Sequence, residues 1–171
     1  MEGHRSKEVL KTEESDMKNA WTFLFIFAFF FLLVNAGHLV AAEKKVTYKD
    51  VKKIQSGKCI ACHSSNSPTI EEFDKDEEGF KSKNKGPRMD TYGNLMIFVN
   101  GKDAGSLMRR LDDGKNTKDG KPGNMYQNLG KDDQERAANL KVFKQWVGNW
   151  TLKRRGDLTE KELKAIKAPE K

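Results

Sequence analysis

Apolar positions fall into one long run near the start of the chain and a series of short amphipathic segments beyond it. Residues 20–34 form an uncharged run rich in Phe and Leu, introduced by Met17-Lys18-Asn19 and preceded by a polar, charged stretch with no apolar face. The run is shorter than the roughly 20 residues that cross a bilayer as a helix, and Asn35 and His38 interrupt its extension. Small residues at Val40-Ala41-Ala42, ahead of Glu43, complete an export signal, with cleavage expected after Ala42 and Ala36 as a second point. Residues 1–42 are read as a polar extension and signal peptide, with Met17 an alternative start and an uncleaved anchor helix the competing reading. No Cys lies near the cleavage point to carry a lipid.

The remaining chain, 43–171, reads as one helical domain. Residues 47–57 predict a short helix with Thr47 as N-cap, Asp50 in the first turn, and Val51 and Ile54 on one face; Gly57 is expected to end or bend it. Residues 64–88 show no period and open on Ser64-Ser65-Asn66-Ser67-Pro68, so they are expected as loop. The apolar run 95–99 is either a strand or a buried helical turn, which periodicity cannot decide. Residues 106–111 predict a short helix, and 112–124, with Gly114, Gly120, Pro122 and Gly123, a loop. The longest helix is expected over 132–150. Asp132 and Glu135 make a capping-box-like start, Leu140, Phe143, Val147 and Trp150 form the buried stripe, and Trp146 flanks it. A last helix is expected over 158–166, capped by Thr159 and Glu162, with Leu163 and Ile166 buried, in a tail spanning 151–171.

Composition sharpens this. Charged residues make up 33% and hydrophobic ones 36%, so the protein core is small for 171 residues, and a buried apolar group would enlarge it. The net charge of +7 comes from 32 basic and 25 acidic residues dispersed along the chain. This favours an acidic partner surface; without a stacking or base-reading motif, nucleic acid is not expected. Residues 71–78 carry six carboxylates and one lysine but lack the glycine and spacing of an EF-hand loop, so they read as a solvated acidic face. Lys153-Arg154-Arg155 reads as a solvated helix end.

The chemistry is concentrated in Cys59-Ile60-Ala61-Cys62-His63, which holds both cysteines of the chain. Two thiols separated by two residues match the two vinyl groups on one haem edge, and the adjacent histidine falls where it can ligate the iron. The motif implies one covalently bound haem c. A redox dithiol would be expected beside a βαβ pattern, a zinc site would need further ligands, and a disulfide would leave His63 without a role. In bacteria haem c is attached outside the cytoplasmic membrane, so the leader and the motif agree on a periplasmic or other extracytoplasmic location, membrane-anchored if the leader is retained. His63 is the last histidine, which leaves Met89, Met96, Met108, Met125 or an open site for the other face of the iron. Met96 and Met108 sit in apolar runs and read as core. Met125 follows Pro122-Gly123-Asn124 and is the favoured distal ligand.

In chain order, a helix before Cys59-Ile60-Ala61-Cys62-His63, Gly86-Pro87 after it, Pro122-Gly123-Asn124-Met125 and the helix over 132–150 resemble small single-haem cytochromes c of the class I type. The resemblance covers most of residues 47–150. It implies an all-α fold, a small cytochrome c-like helical domain closed around one haem with long loops, in which the last long helix packs across the first. It also implies that the Pro87 carbonyl region receives the N–H of His63. The chain departs from the family in the distance of Gly86 from His63, in an acidic stretch at 64–85 that looks inserted, and in lacking the usual aromatic in the first helix. The function implied is an electron carrier between redox partner proteins, not an enzyme. The alternatives are a haem protein with an open iron that binds or senses a small ligand, and a haem subunit of a larger oxidoreductase.

Overall fold

Thr47 opens the first helix by donating its N–H to Asp50 Oδ2 at 3.2 Å. This computed structural model describes residues 45–171; the leader, its cleavage point and the alternative start lie outside the described residues. Helix α1 runs Tyr48–Lys58 and passes through Gly57 without a break. Gly57 meets nothing within 4 Å, so its missing side chain costs only backbone entropy there. The chain then turns directly into α2, Ile60–His63, with the N–H of both Cys62 and His63 bonded to the Cys59 carbonyl.

The expected loop at 64–88 contains two helices, α3 (Ile70–Lys75) and α4 (Glu77–Ser82). Their caps explain why. Thr69 Oγ1 accepts from Glu72 N and Glu72 Oε2 accepts from Thr69 N, while Asp76 Oδ1 accepts from Gly79 N. Glu71 and Glu72, then Glu77 and Glu78, occupy first turns, where carboxylates stabilise the helix dipole. Each helix is only six residues long; α3 has just Ile70 and Phe73 as apolar residues and α4 just Phe80, with Phe73 against Phe80 at 6.2 Å between centroids. No helical period could emerge from that.

Residues 95–99 belong to a helix, α5 (Tyr92–Val99), capped by Thr91 Oγ1 on Asn94 N. Leu95, Phe98 and Val99 are its buried face. Helix α6 follows at Ser106–Leu111, and a 3-10 turn at Tyr126–Leu129 leads towards α7 (Asp133–Val147). At the start of α7, Asp132 Oδ1 accepts from Glu135 N, while Glu135 Oε2 takes the N–H of Lys131 rather than that of the cap residue. The helix stops at Gly148, whose φ of +76° an L side chain would rarely adopt, so Trp150 lies beyond it. The buried tryptophan is Trp146, at 0% exposure, whereas Trp150 is half-buried. Val51 of α1 joins Leu140, Phe143, Trp146 and Val147 of α7 in one core with Leu95, Phe98, Leu107, Met108 and Leu129. No strand occurs among the described residues, and the fold is all-α.

Tyr48 corrects the expectation that the first helix lacks its aromatic. It is the first residue of α1, is buried, and meets Tyr92 edge-on at 5.3 Å and Trp146 at 6.3 Å between centroids. The C-terminal tail completes this cluster. After a 3-10 turn (Arg155–Asp157) and α8 (Glu160–Ala165), the Pro169 carbonyl accepts from both Tyr48 N and Trp146 Nε1, and the Ala168 carbonyl from Tyr92 OH. Ile166 and Ala168 are buried beside them.

Candidate functional site

The end of α1 and the single turn of α2 place Cys59, Cys62 and His63 on one continuous piece of backbone. Both cysteines are unpaired and half-buried. Burial pushes the Cys59 thiol up to about 11, far from the lowered range of redox-active thiols. Among the described residues, no group of three or more His, Cys, Asp or Glu could hold a metal ion. Neither a redox dithiol nor a zinc site therefore finds support here.

His63 is 8% exposed, and its Nδ1 lies 2.6 Å from the Pro87 carbonyl oxygen. A carbonyl can only accept, so Nδ1 carries the proton and Nε2 keeps a free lone pair. Burial lowers the pKa of the ring, the Pro87 contact raises it and the charge of Arg110 lowers it; the net shift is downward, towards the neutral imidazole that binds metals. Gly86 is packed directly against this ring.

The sequence distance from His63 to Gly86 is closed by hydrogen bonds across the base of the α3–α4 excursion. Gly86 N bonds to the Cys62 carbonyl at 2.9 Å, Met89 N to the His63 carbonyl at 3.1 Å and Arg88 N to the Pro68 carbonyl at 2.7 Å. Ser67 Oγ donates to the same Cys62 carbonyl. Residues 86–89 thus run beside the motif although 24 positions separate His63 from Pro87. Gln55 of α1 adds a side-chain bond to the Met89 carbonyl and accepts from Tyr48 OH, tying the segment to the first helix.

The four methionines weighed from the sequence are in different situations. Met108 is fully buried, and its sulfur accepts the Thr151 N–H at 3.3 Å. Met96 is half-buried against the core. Met89 is held by its backbone beside His63 itself. Met125 is half-buried at the entry to the 3-10 turn, which packs against α1, α6 and α7. Its N–H bonds to the Arg110 carbonyl at 2.9 Å, and Asn128 Nδ2 donates to its sulfur at 3.4 Å. Arg110 meets both residues: its charge acts on His63, its carbonyl holds Met125, and its guanidinium donates to Asn124 Oδ1 at 3.3 Å.

Two free thiols, a buried imidazole with a bare Nε2 and a glycine cradle against that ring form a donor set that fits a covalently held haem. Arg110, the Gly86 approach and the Asp112–Trp150 bond described below were not anticipated from the sequence. Only Gly86-Pro87 had a signal there, through the family resemblance.

A family model described as PccH Cytochrome c matches residues 47–169. The solved structure of the monoheme cytochrome PccH from Geobacter sulfurreducens is similar, with a TM-score of 0.69 and 46% identity, over 73% of this chain and 98% of that chain. No curated protein matches the chain.

Proposed function

Because the chain belongs to the PccH cytochrome c family and is a monohaem c-type cytochrome with one covalently bound haem c, we propose that it is an exported electron carrier. The observation that carries this reading is the His63–Pro87 contact beside two free thiols, which leaves one imidazole lone pair available at a fixed place. When bound, haem iron supplies a one-electron ferric–ferrous couple.

The chain's residues do the rest. The Cys59 and Cys62 thiols would hold the haem through two thioether bonds, each formed by adding S–H across a vinyl group with no oxidant consumed. His63 Nε2 would be the imidazole ligand to the iron, and the Pro87 carbonyl holds the ring in one orientation and would make that nitrogen more basic. Met125 would be the second ligand; its sulfur accepts from Asn128 through one lone pair, and the other would be available to the metal. Ligation by both His63 and Met125 would leave no position for a substrate, which supports an electron carrier rather than an enzyme.

The net charge of +7 suits weak, salt-sensitive docking to acidic redox partners. The leader read from the sequence at residues 1–42 supports a place outside the cytoplasmic membrane, where the thioethers would be made.

The test is an intact mass and visible spectrum of the exported protein, with Met125→Ala alongside. One added haem and a thioether-to-iron band that Met125→Ala removes, with a fall in reduction potential, are expected. An unchanged band in the variant would overturn the distal assignment, and a wild-type spectrum of an open iron would favour a ligand-binding haem protein instead.

A further inference from the structure

Asp112 follows α6, is 0% exposed and is the best-connected carboxylate of the described structure. Its Oδ2 accepts from Trp150 Nε1 and from Asn116 Nδ2, each at 2.8 Å; its Oδ1 accepts from Gly114 N at 2.9 Å and Asn116 N at 3.4 Å. These bonds satisfy a charge that would otherwise be costly to bury.

The same residue marks both ends of the loop that leads to Met125. The loop leaves at Asp112 and returns to it, with Gly123 N bonded to the Asp112 carbonyl at 2.8 Å. Two residues on, Met125 N bonds to the Arg110 carbonyl. Gly123 lies so close to the carbonyls of Arg109 and Arg110 that a Cβ would collide with both. Between these ends the loop has little apolar burial of its own: Lys115, Asn116, Lys118, Asp119, Lys121 and Pro122 are exposed. The opposite anchor is Trp150, just past α7, with Lys144 5.5 Å over its ring and also 3.5 Å from Asp113.

We propose that Asp112 is a positioning residue for the distal side of the haem, a polar latch between the Met125 loop and the end of α7. Four hydrogen bonds on one buried carboxylate set the place from which the thioether is presented. Backbone bonds to the Asp112 and Arg110 carbonyls hold the far end of the loop, while its exposed stretch is tied to the helices through the Asp112 carboxylate and the Asp113–Lys144 pair. Loosening the latch lets the Met125 sulfur withdraw and admits small external ligands to the iron. The inference rests on Met125 as distal ligand and goes beyond it, because it says what determines how firmly that ligand is held.

The experiment uses the haem-loaded full chain and two variants, Asp112→Asn and Trp150→Phe. The second keeps an aromatic ring and removes the donor to Asp112, together with part of the indole packing and of the Lys144 contact. Imidazole binding to the ferric protein is titrated well below the unfolding temperature, together with the thioether-to-iron band and the far-ultraviolet helical signal. At least about a tenfold gain in imidazole affinity is expected, the factor that one lost charge-assisted hydrogen bond supplies, with a weakened band and unchanged helicity. Affinity and band equal to wild type in folded Trp150→Phe would overturn the latch, even if the melting temperature fell. Met125→Ala separates the two ideas. If it gains imidazole affinity while the latch variants do not, only the latch falls; if it leaves band and affinity unchanged, the ligand assignment falls and the latch with it.

Discussion

Gly86 stands where any side chain would enter the His63 ring: a Cβ there would lie 2.6 Å from Nδ1 and 2.8 Å from Nε2. Real Cβ contacts are not that short, and the ring cannot retreat without losing the Pro87 carbonyl. Gly86→Ala is therefore expected to cost about 1–3 kcal/mol, the usual range for overpacking. Chemical denaturation monitored in the haem band checks this; stability equal to wild type would mean that the ring and the 86–89 segment separate freely.

The C-terminal strap is expected to contribute stability far from the motif. Ending the chain at Ala165 removes the acceptors of Tyr48 N, Trp146 Nε1 and Tyr92 OH together with buried Ile166 and Ala168. Burial of one Ile is worth about 1.5–3 kcal/mol and each hydrogen bond about 1 kcal/mol. A loss of roughly 4.5–6 kcal/mol should follow, seen as a large drop in the denaturation midpoint. A midpoint unchanged by the truncation would show that the strap is ornamental.

Lys58, next to Cys59, pairs with Glu135 in the first turn of α7 at 2.6 Å, with the two side chains 29% and 31% exposed. Solvent screening keeps such a pair at about 0.2–1 kcal/mol. Lys58→Met should destabilise the protein by no more than that, and the difference from wild type should shrink in high salt.

Acid stability should depend on Asp112. Burial raises its pKa, but hydrogen bonds from Asn116 and Trp150 and from the N–H groups of Gly114 and Asn116 together hold it below the ordinary 3.8. The unfolded chain then takes up this proton first, so the contribution is complete above the unfolded value and is lost as pH falls through the folded one. Asp112→Asn should show a shallower loss of stability on acidification below the ordinary carboxylate range, measured as denaturation midpoint against pH. The same slope in both proteins would locate the acid sensitivity elsewhere.

Much of the helical framework was legible in the sequence because its signals are local. Leu140, Phe143 and Val147 recur at helical spacing, and Thr159 with Glu162 make a capping box that α8 uses. Local signals also misled. Apolar periodicity passed over α3 and α4, whose helicity comes from the caps at Thr69 and Asp76 and from first-turn carboxylates. It also extended the stripe of α7 to Trp150, although Gly148 turns the chain out of the helix and Trp146 takes the buried place.

By itself the sequence determined the covalent chemistry, because two thiols and an imidazole within five residues need only the local backbone to be adjacent. The family and its single haem follow from that stretch and from the order of elements after it. The family resemblance already pointed to the Pro87 region; only the tertiary structure decided which other groups surround the imidazole and what holds Met125. Those partners are distant in the chain: Gly86 and Pro87 reach His63 because the base of the α3–α4 excursion is closed by backbone bonds, and Trp150 reaches Asp112 across 38 positions. Neither meeting leaves a pattern in residue spacing, since each is set by the satisfaction of buried polar groups after the helices have packed.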